Sequence, residues 1–119
     1  IYAERVLSMG LVPIIAHPER YICFHTEKWV AKELCDMGAL LQVNASSLAG
    51  RGGDEIKDYA TELVLSRLAD FVATDAHSAV SRPNDIIKCA ERFDERITSE
   101  DIKRLVYKNP LKVLKDEIL

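Results

Sequence analysis

Three short apolar runs punctuate the chain: Leu11 to Ala16, Ala39 to Val43 and Phe71 to Ala73. Each is apolar at successive rather than alternate positions, the pattern of a strand covered on both faces of a parallel sheet. Between them the period lengthens to that of a helix. Val30, Leu34 and Met37 share one helical face after the first run, and Ile56, Tyr59, Ala60, Leu63, Val64 and Leu68 form a fuller stripe after the second. Ahead of the first run, Tyr2, Val6 and Met9 predict a helix that Gly10 ends.

Past the third run, three helix starts are readable. Pro83, behind Ser81-Arg82, leads into Ile86, Ile87, Ala90 and Phe93. Thr98, with Asp101 three residues on, resembles a capping box in front of Ile102, Leu105 and Val106. Asn109-Pro110 predicts a separate last helix with Leu111, Leu114 and Ile118 on one face. The resulting order is α-βα-βα-βααα, with strands about every thirty residues and no linker between them. Strands alternating with helices predict a right-handed parallel α/β arrangement, either an open sheet or part of a barrel.

Composition narrows the function classes. Of the 119 residues 48% are hydrophobic, which excludes intrinsic disorder, and no apolar run approaches the length of a membrane span. The formal net charge is −3 without a run of like charges, so no basic face for nucleic acid is evident. Cys23, Cys35 and Cys89 are an odd number without C-x-x-C spacing. They predict packed thiols in a reduced, cytoplasmic compartment. A thiol-based phosphatase needs an Arg at a fixed step beyond its Cys, and Trp29, Leu41 and Glu95 stand at that step here.

In parallel α/β folds chemistry collects at the C-terminal ends of the strands. The first run passes into His17-Pro18-Glu19-Arg20, the second into Asn44-Ala45-Ser46-Ser47, and the third into Thr74-Asp75-Ala76-His77, with Arg82 five residues beyond that histidine. Asp75 and His77, two apart on an extended segment, would project to one side as ligands for Zn, Mn or Fe. His17 could complete the set. Against this, Asp75 could cap the following segment, and His17 could be a satisfied buried histidine. Arg20 and Arg82 suit phosphate oxygens next to a metal, or else an ion pair with Glu19 or another carboxylate and a solvated helix start respectively. Asn44 could hydrogen-bond a ligand or close a turn, and the turn is the better reading. Ala49-Gly50-Arg51-Gly52-Gly53 lacks the Lys-Ser/Thr of a P-loop and reads as a loop that could border a substrate. His25 and Trp29 read as structural.

The blocks Pro13-Ile14-Ile15-Ala16-His17-Pro18-Glu19-Arg20-Tyr21, Gln42-Val43-Asn44-Ala45-Ser46-Ser47-Leu48, Phe71-Val72-Ala73-Thr74-Asp75-Ala76-His77 and Ser81-Arg82-Pro83 resemble the bacterial PHP-type protein-tyrosine phosphatases. These are manganese-dependent enzymes of capsular and exopolysaccharide biosynthesis. The resemblance runs from about Val12 to the Asn109-Pro110 segment. It implies a distorted (β/α)7 TIM-like barrel of which residues 1–119 are the C-terminal part. It implies that His17, Asp75 and His77 are metal ligands and that Arg20 and Arg82 bind the phosphoryl group. The reaction implied is metal-assisted hydrolysis without a covalent protein intermediate. The implied substrate is a phosphotyrosine protein, notably the tyrosine-rich tail of a tyrosine autokinase.

The departures also carry expectations. The family's H-x-H motif and the metal-binding glutamates before the first block are not in this sequence, and Ser46 stands where glycine is commoner. Three ligands cannot satisfy a multinuclear cluster. The resemblance therefore implies weak metal binding and little activity for these residues alone, and unpaired strand edges that invite self-association. Two other readings stay open: another PHP-type phosphoesterase, such as a histidinol-phosphate phosphatase, and a non-catalytic interaction module.

Overall fold

The structure, a computed structural model, describes residues 2–78 and 85–119. The sheet is built from β1 (Ile14–Ala16), β2 (Leu40–Asn44) and β3 (Ala69–Ala73), all parallel, in the order β1-β2-β3. Helices α2 (Ile22–Thr26) and α3 (Trp29–Asp36) connect the first pair. Helices α4 (Ala45–Leu48) and α5 (Asp54–Leu65) connect the second. The α/β reading of the apolar runs therefore holds. Central β2 is the most enclosed strand, with Leu41, Val43 and Asn44 all at 0% exposure. Tyr59, Ala60, Leu63 and Val64 of α5 join it in one core with Ala31 of α3 and Leu105.

Several boundaries move, each for a physical reason. The first strand is only three residues long, because Leu11 and Val12 lie outside the ladder and are exposed. The third begins two residues early, taking in Asp70. The pairing of β2 with β3 steps from Leu41↔Ala69 to Gln42↔Phe71, which leaves Asp70 as the extra residue of a bulge. Its carboxylate accepts the Leu41 N–H at 2.9 Å, so the donor freed by the irregularity is still satisfied. The predicted first helix forms as α1 (Tyr2–Ser8), and Gly10 follows it at φ 77°. Yet α1 buries no residue fully: Tyr2 is 85% exposed, while Val6 and Leu7 are half-buried.

The segment after β3 differs most from its reading. The helix start expected at Pro83 lies outside the described residues, and α6 is Ile86–Ala90. The capping box forms: Thr98 Oγ1 accepts the Asp101 N–H at 3.1 Å and Asp101 Oδ2 accepts the Thr98 N–H at 3.0 Å. Helix α7 (Ser99–Lys103) then runs through a π-helical segment, Arg104–Lys108, straight into α8 (Asn109–Leu114). Asn109 has helical φ and ψ and so opens no separate helix, contrary to the sequence reading. Pro110 can give no N–H, and the wider π turn before it accommodates its ring. Asn109 is buried and donates through Nδ2 to the Asp70 carbonyl at 2.8 Å, which ties this continuous helix to β3.

The thiols fit the expectation in part. Cys89 is buried, Cys35 is half-buried and Cys23 is exposed. Burial pushes the Cys35 thiol up to about 11 and raises that of Cys89 as well, so neither is a thiolate at neutral pH.

Candidate functional site

At the C-terminal end of β1 the backbone N–H of His17 donates to the Gln42 carbonyl at 2.7 Å, extending the ladder by one bond. The chain then turns left-handed at His17, φ 39° and ψ 55°, and enters the 310 turn Pro18–Arg20. Pro18 suits that position, since its φ is already set and the first N–H of a helical turn has no partner to lose. A histidine in the left-handed region costs on the order of 1 kcal/mol, which the surroundings must sustain. The Tyr21 ring lies 5.3 Å from the imidazole. His17 Nδ1 is buried and has no hydrogen-bond partner among the described residues.

Glu19, one turn on, is fully buried. It does not pair with Arg20, the bland alternative for that arginine. Its Oε1 instead accepts the Asn44 N–H at 3.0 Å, across to β2, while Oε2 is buried without a partner among the described residues. His25 holds the same turn from outside by donating through Nε2 to the Glu19 carbonyl, and its ring packs on Tyr59 at 4.7 Å. The structural reading of His25 is thereby supported. Trp29, by contrast, opens α3 at the surface, 61% exposed.

Arg20 is exposed, and its Nε donates to Ser47 Oγ at 3.4 Å. Its Nη2 lies 3.7 Å from where a Cβ would stand at Gly52. The guanidinium therefore reaches across the end of β2 toward the glycine loop and leaves donors for a ligand.

The third strand ends at Ala73, and Asp75 is left-handed with φ 52°. The spacing reading assumed an extended segment that would align Asp75 and His77; the left-handed residue replaces that geometry. His77 folds back, donating through Nδ1 to the Asp75 carbonyl at 2.6 Å, with that nitrogen 3.9 Å from Asp75 Oδ1. A carbonyl only accepts, so Nδ1 carries a proton, and in the neutral imidazole the lone pair is then on Nε2. Arg82 lies outside the described residues.

Between the two left-handed residues stands Asn44, which the sequence reading took as closing a turn. Its side chain is fully buried, accepts from Gln42 Nε2 at 2.9 Å and donates to Asp75 Oδ2 at 3.5 Å. One residue thus joins the ends of all three strands. Glu19 is a member of this site that the sequence does not single out, and Asn44 is one for which the turn reads better than a ligand contact. The available signal was a polar residue inside or just beyond an apolar run, where burial is imposed by its neighbours.

The donors fit a divalent metal of borderline hardness: Nδ1 of His17, which has no partner among the described residues, Nε2 of His77 and the carboxylate of Asp75. Among the described residues no group of three or more His, Cys, Asp or Glu side chains is gathered so as to hold an ion. The donors are spread along the rim rather than closed into a cage.

Residues 2–115 match the family described as capsular polysaccharide synthesis, CpsB/CapC. The chain belongs to this family. Within it, the chain is 45% identical over 76 residues to CapC of Staphylococcus aureus, covering 64% of this chain and 30% of that relative. It is 28% identical over 121 residues to the tyrosine-protein phosphatase CpsB of Streptococcus pneumoniae, covering 98% of this chain and 50% of the relative. It also superposes on a chain from the crystal structures of YwqE of Bacillus subtilis and CpsB of Streptococcus pneumoniae, which are described as metal-dependent tyrosine phosphatases. That match has a TM-score of 0.79 and 28% identity, over 98% of this chain and 47% of the other. The chain spans half the length, or less, of these CpsB/CapC relatives.

Proposed function

We propose that residues 1–119 are the C-terminal portion of a PHP-type (β/α)7 barrel that hydrolyses phosphotyrosine in proteins with the help of bound metal, in the control of capsular or exopolysaccharide synthesis. The observation that carries this reading is the buried Nδ1 of His17, without a partner among the described residues, on a left-handed strand end, with Asp75 in the same conformation at the end of β3. Strained residues of this kind persist where a ligand or a reaction uses them.

In this reading His17, Asp75 and His77 hold manganese, with iron or zinc accepted by the same donors. When bound, the metal polarises phosphoryl oxygens and activates water. The chain's own residues do the rest. Asn44 orients the Asp75 carboxylate through its amide. Glu19 fixes the N–H of Asn44 and thereby the distance between the ends of β1 and β2. Arg20, steered by Ser47, and Arg82 bind the phosphoryl oxygens and stabilise the charge that develops on them. The substrate is a phosphotyrosine tail, most simply that of a tyrosine autokinase, met in the cytoplasm.

Two measurements test this. Paramagnetic broadening on titration of the 119-residue chain with Mn2+ should centre on His17, Asp75 and His77; broadening centred elsewhere would overturn the ligand assignment. In the longer protein that the reading implies, His17→Ala and Asp75→Asn should each lower manganese-dependent hydrolysis of a phosphotyrosine peptide by about a hundredfold or more. Wild-type rates in both variants would sink the proposal.

A further inference from the structure

The loop between α4 and α5 separates the rim from a second hollow. Ala49 to Gly53 contains three glycines, and Gly50 and Gly53 take φ of 87° and 100°, where other residues would be strained. On one side of this low wall the Arg20 guanidinium lies against Gly52. On the other, Lys57 Cδ lies 3.4 Å from where a Cβ would stand at Gly50. Beyond the wall is an open polar hollow of about 430 Å3, lined by Arg51, Asp54, Lys57 and Arg92 together with Ala49 and Gly50.

The charges of this hollow do not cancel. Arg51 is matched by Asp85 at 2.6 Å. Lys57 Nζ, however, donates among the described residues to a neutral group, the Arg92 carbonyl at 3.0 Å. Arg92 has no ion pair among the described residues, and neither has Arg20. The one acid lining the hollow is Asp54, on the first turn of α5. Beside it Asp94 is held by Arg96 at 2.9 Å, and Asp58 and Glu95 also lie within reach of the Arg96 charge. On a chain with a formal net charge of −3, Arg20, Lys57 and Arg92 therefore form a local cationic band that starts at the candidate site.

We propose that this band docks acidic residues that flank the phosphotyrosine, so that a negatively charged peptide segment crosses the glycine loop from Arg20 toward Arg92. The inference rests on the phosphotyrosine reading of the rim. The glycines keep the wall low enough for a peptide backbone to pass, and long exposed cations attract a mobile carboxylate without needing one fixed geometry. A nucleic acid is the less suited polyanion, since no aromatic side chain lines the hollow for bases to stack on.

The test is fluorescence anisotropy with the 119-residue chain and labelled peptides: phosphotyrosine with acidic flanks, the same peptide unphosphorylated, and phosphotyrosine with neutral flanks. Acidic flanks should tighten binding by about tenfold at low salt, and the gain should shrink as salt rises through about 0.15 M. The double variants Lys57→Glu/Arg92→Glu and Lys57→Gln/Arg92→Gln should abolish that gain while the thermal transition stays close to wild type. A gain that survives in both variants, no gain from acidic flanks, or tighter binding of a single-stranded oligonucleotide of equal charge would each overturn the proposal. Failure of the phosphotyrosine reading shows separately. In that case wild-type protein would bind the phosphorylated and unphosphorylated acidic peptides equally, with the gain from acidic flanks intact.

Discussion

Glu19 and Asp70 make the same bond at opposite ends of β2. Each carboxylate accepts one backbone N–H of that strand, from Asn44 at 3.0 Å and from Leu41 at 2.9 Å. Their surroundings differ. Asp70 borders an apolar groove of about 600 Å3 at the N-terminal ends of the strands, lined in part by Leu11, Val12, Ile14 and Val113. Burial raises its carboxyl pKa, while the Leu41 N–H and nearby Arg104 pull the other way. Glu19 sits instead among polar side chains, one residue before Arg20 and two after His17, with its second oxygen enclosed and without a partner among the described residues. A buried carboxylate is therefore no mark of a site. Left-handed backbone is no mark either, since Arg67 and Asp116 in the groove also have positive φ. What distinguishes the rim is buried polar atoms, His17 Nδ1 and Glu19 Oε2, without a partner among the described residues, which no lining residue of the groove has.

The comparison can be broken most directly at Glu19. Glu19→Ala strands the Asn44 N–H inside the core and opens a cavity, so it should cost about 3 kcal/mol in urea unfolding. A loss under about 1 kcal/mol would mean that water reaches the rim and that the clamp is not needed.

Asp70→Ala should cost less, about 1.5 kcal/mol, because the freed Leu41 N–H lies beside an open groove from which water can replace the carboxylate. Equal losses at the two positions would erase the distinction drawn between the two ends of β2.

The smallest effect is one of pH. An acid whose pKa is raised by folding contributes stability below its ordinary value, here 3.8, and loses that contribution as pH rises through its folded value. Asp70→Asn cannot ionise, so its stability relative to wild type should improve from about pH 4 upward through the acidic range. Thermal melts across that range check the sign, and a gap that widens with pH would show that Arg104 outweighs burial at Asp70.

How much of this was legible follows from the range of each interaction. The capping box at Thr98 and Asp101 spans three residues and is written in them. The left-handed stop at Gly10 is likewise local. The blocks that carry His17, Arg20, Asp75 and His77 are also short and contiguous in the chain. The helix break expected at Asn109 failed because local propensity was overridden: the wide π turn and the bond from Asn109 to Asp70, 39 residues away, keep the helix continuous. The bonds that Asn44 and Glu19 make stayed hidden for the same kind of reason. Their partners lie 25 and 31 residues away, and a bond of that span depends on which strand lies between which.

By itself, then, the sequence determined the alternation of strands and helices, the membership of its motifs and the identity of the residues brought to the strand ends, because periodicity and short-range capping need only neighbours in the chain. Tertiary structure alone decided that β2 lies between the two left-handed ends, that Asn44 couples them and that Arg20 turns toward the glycine loop. Those outcomes depend on packing distances between segments whose sequence separation carries no record of them.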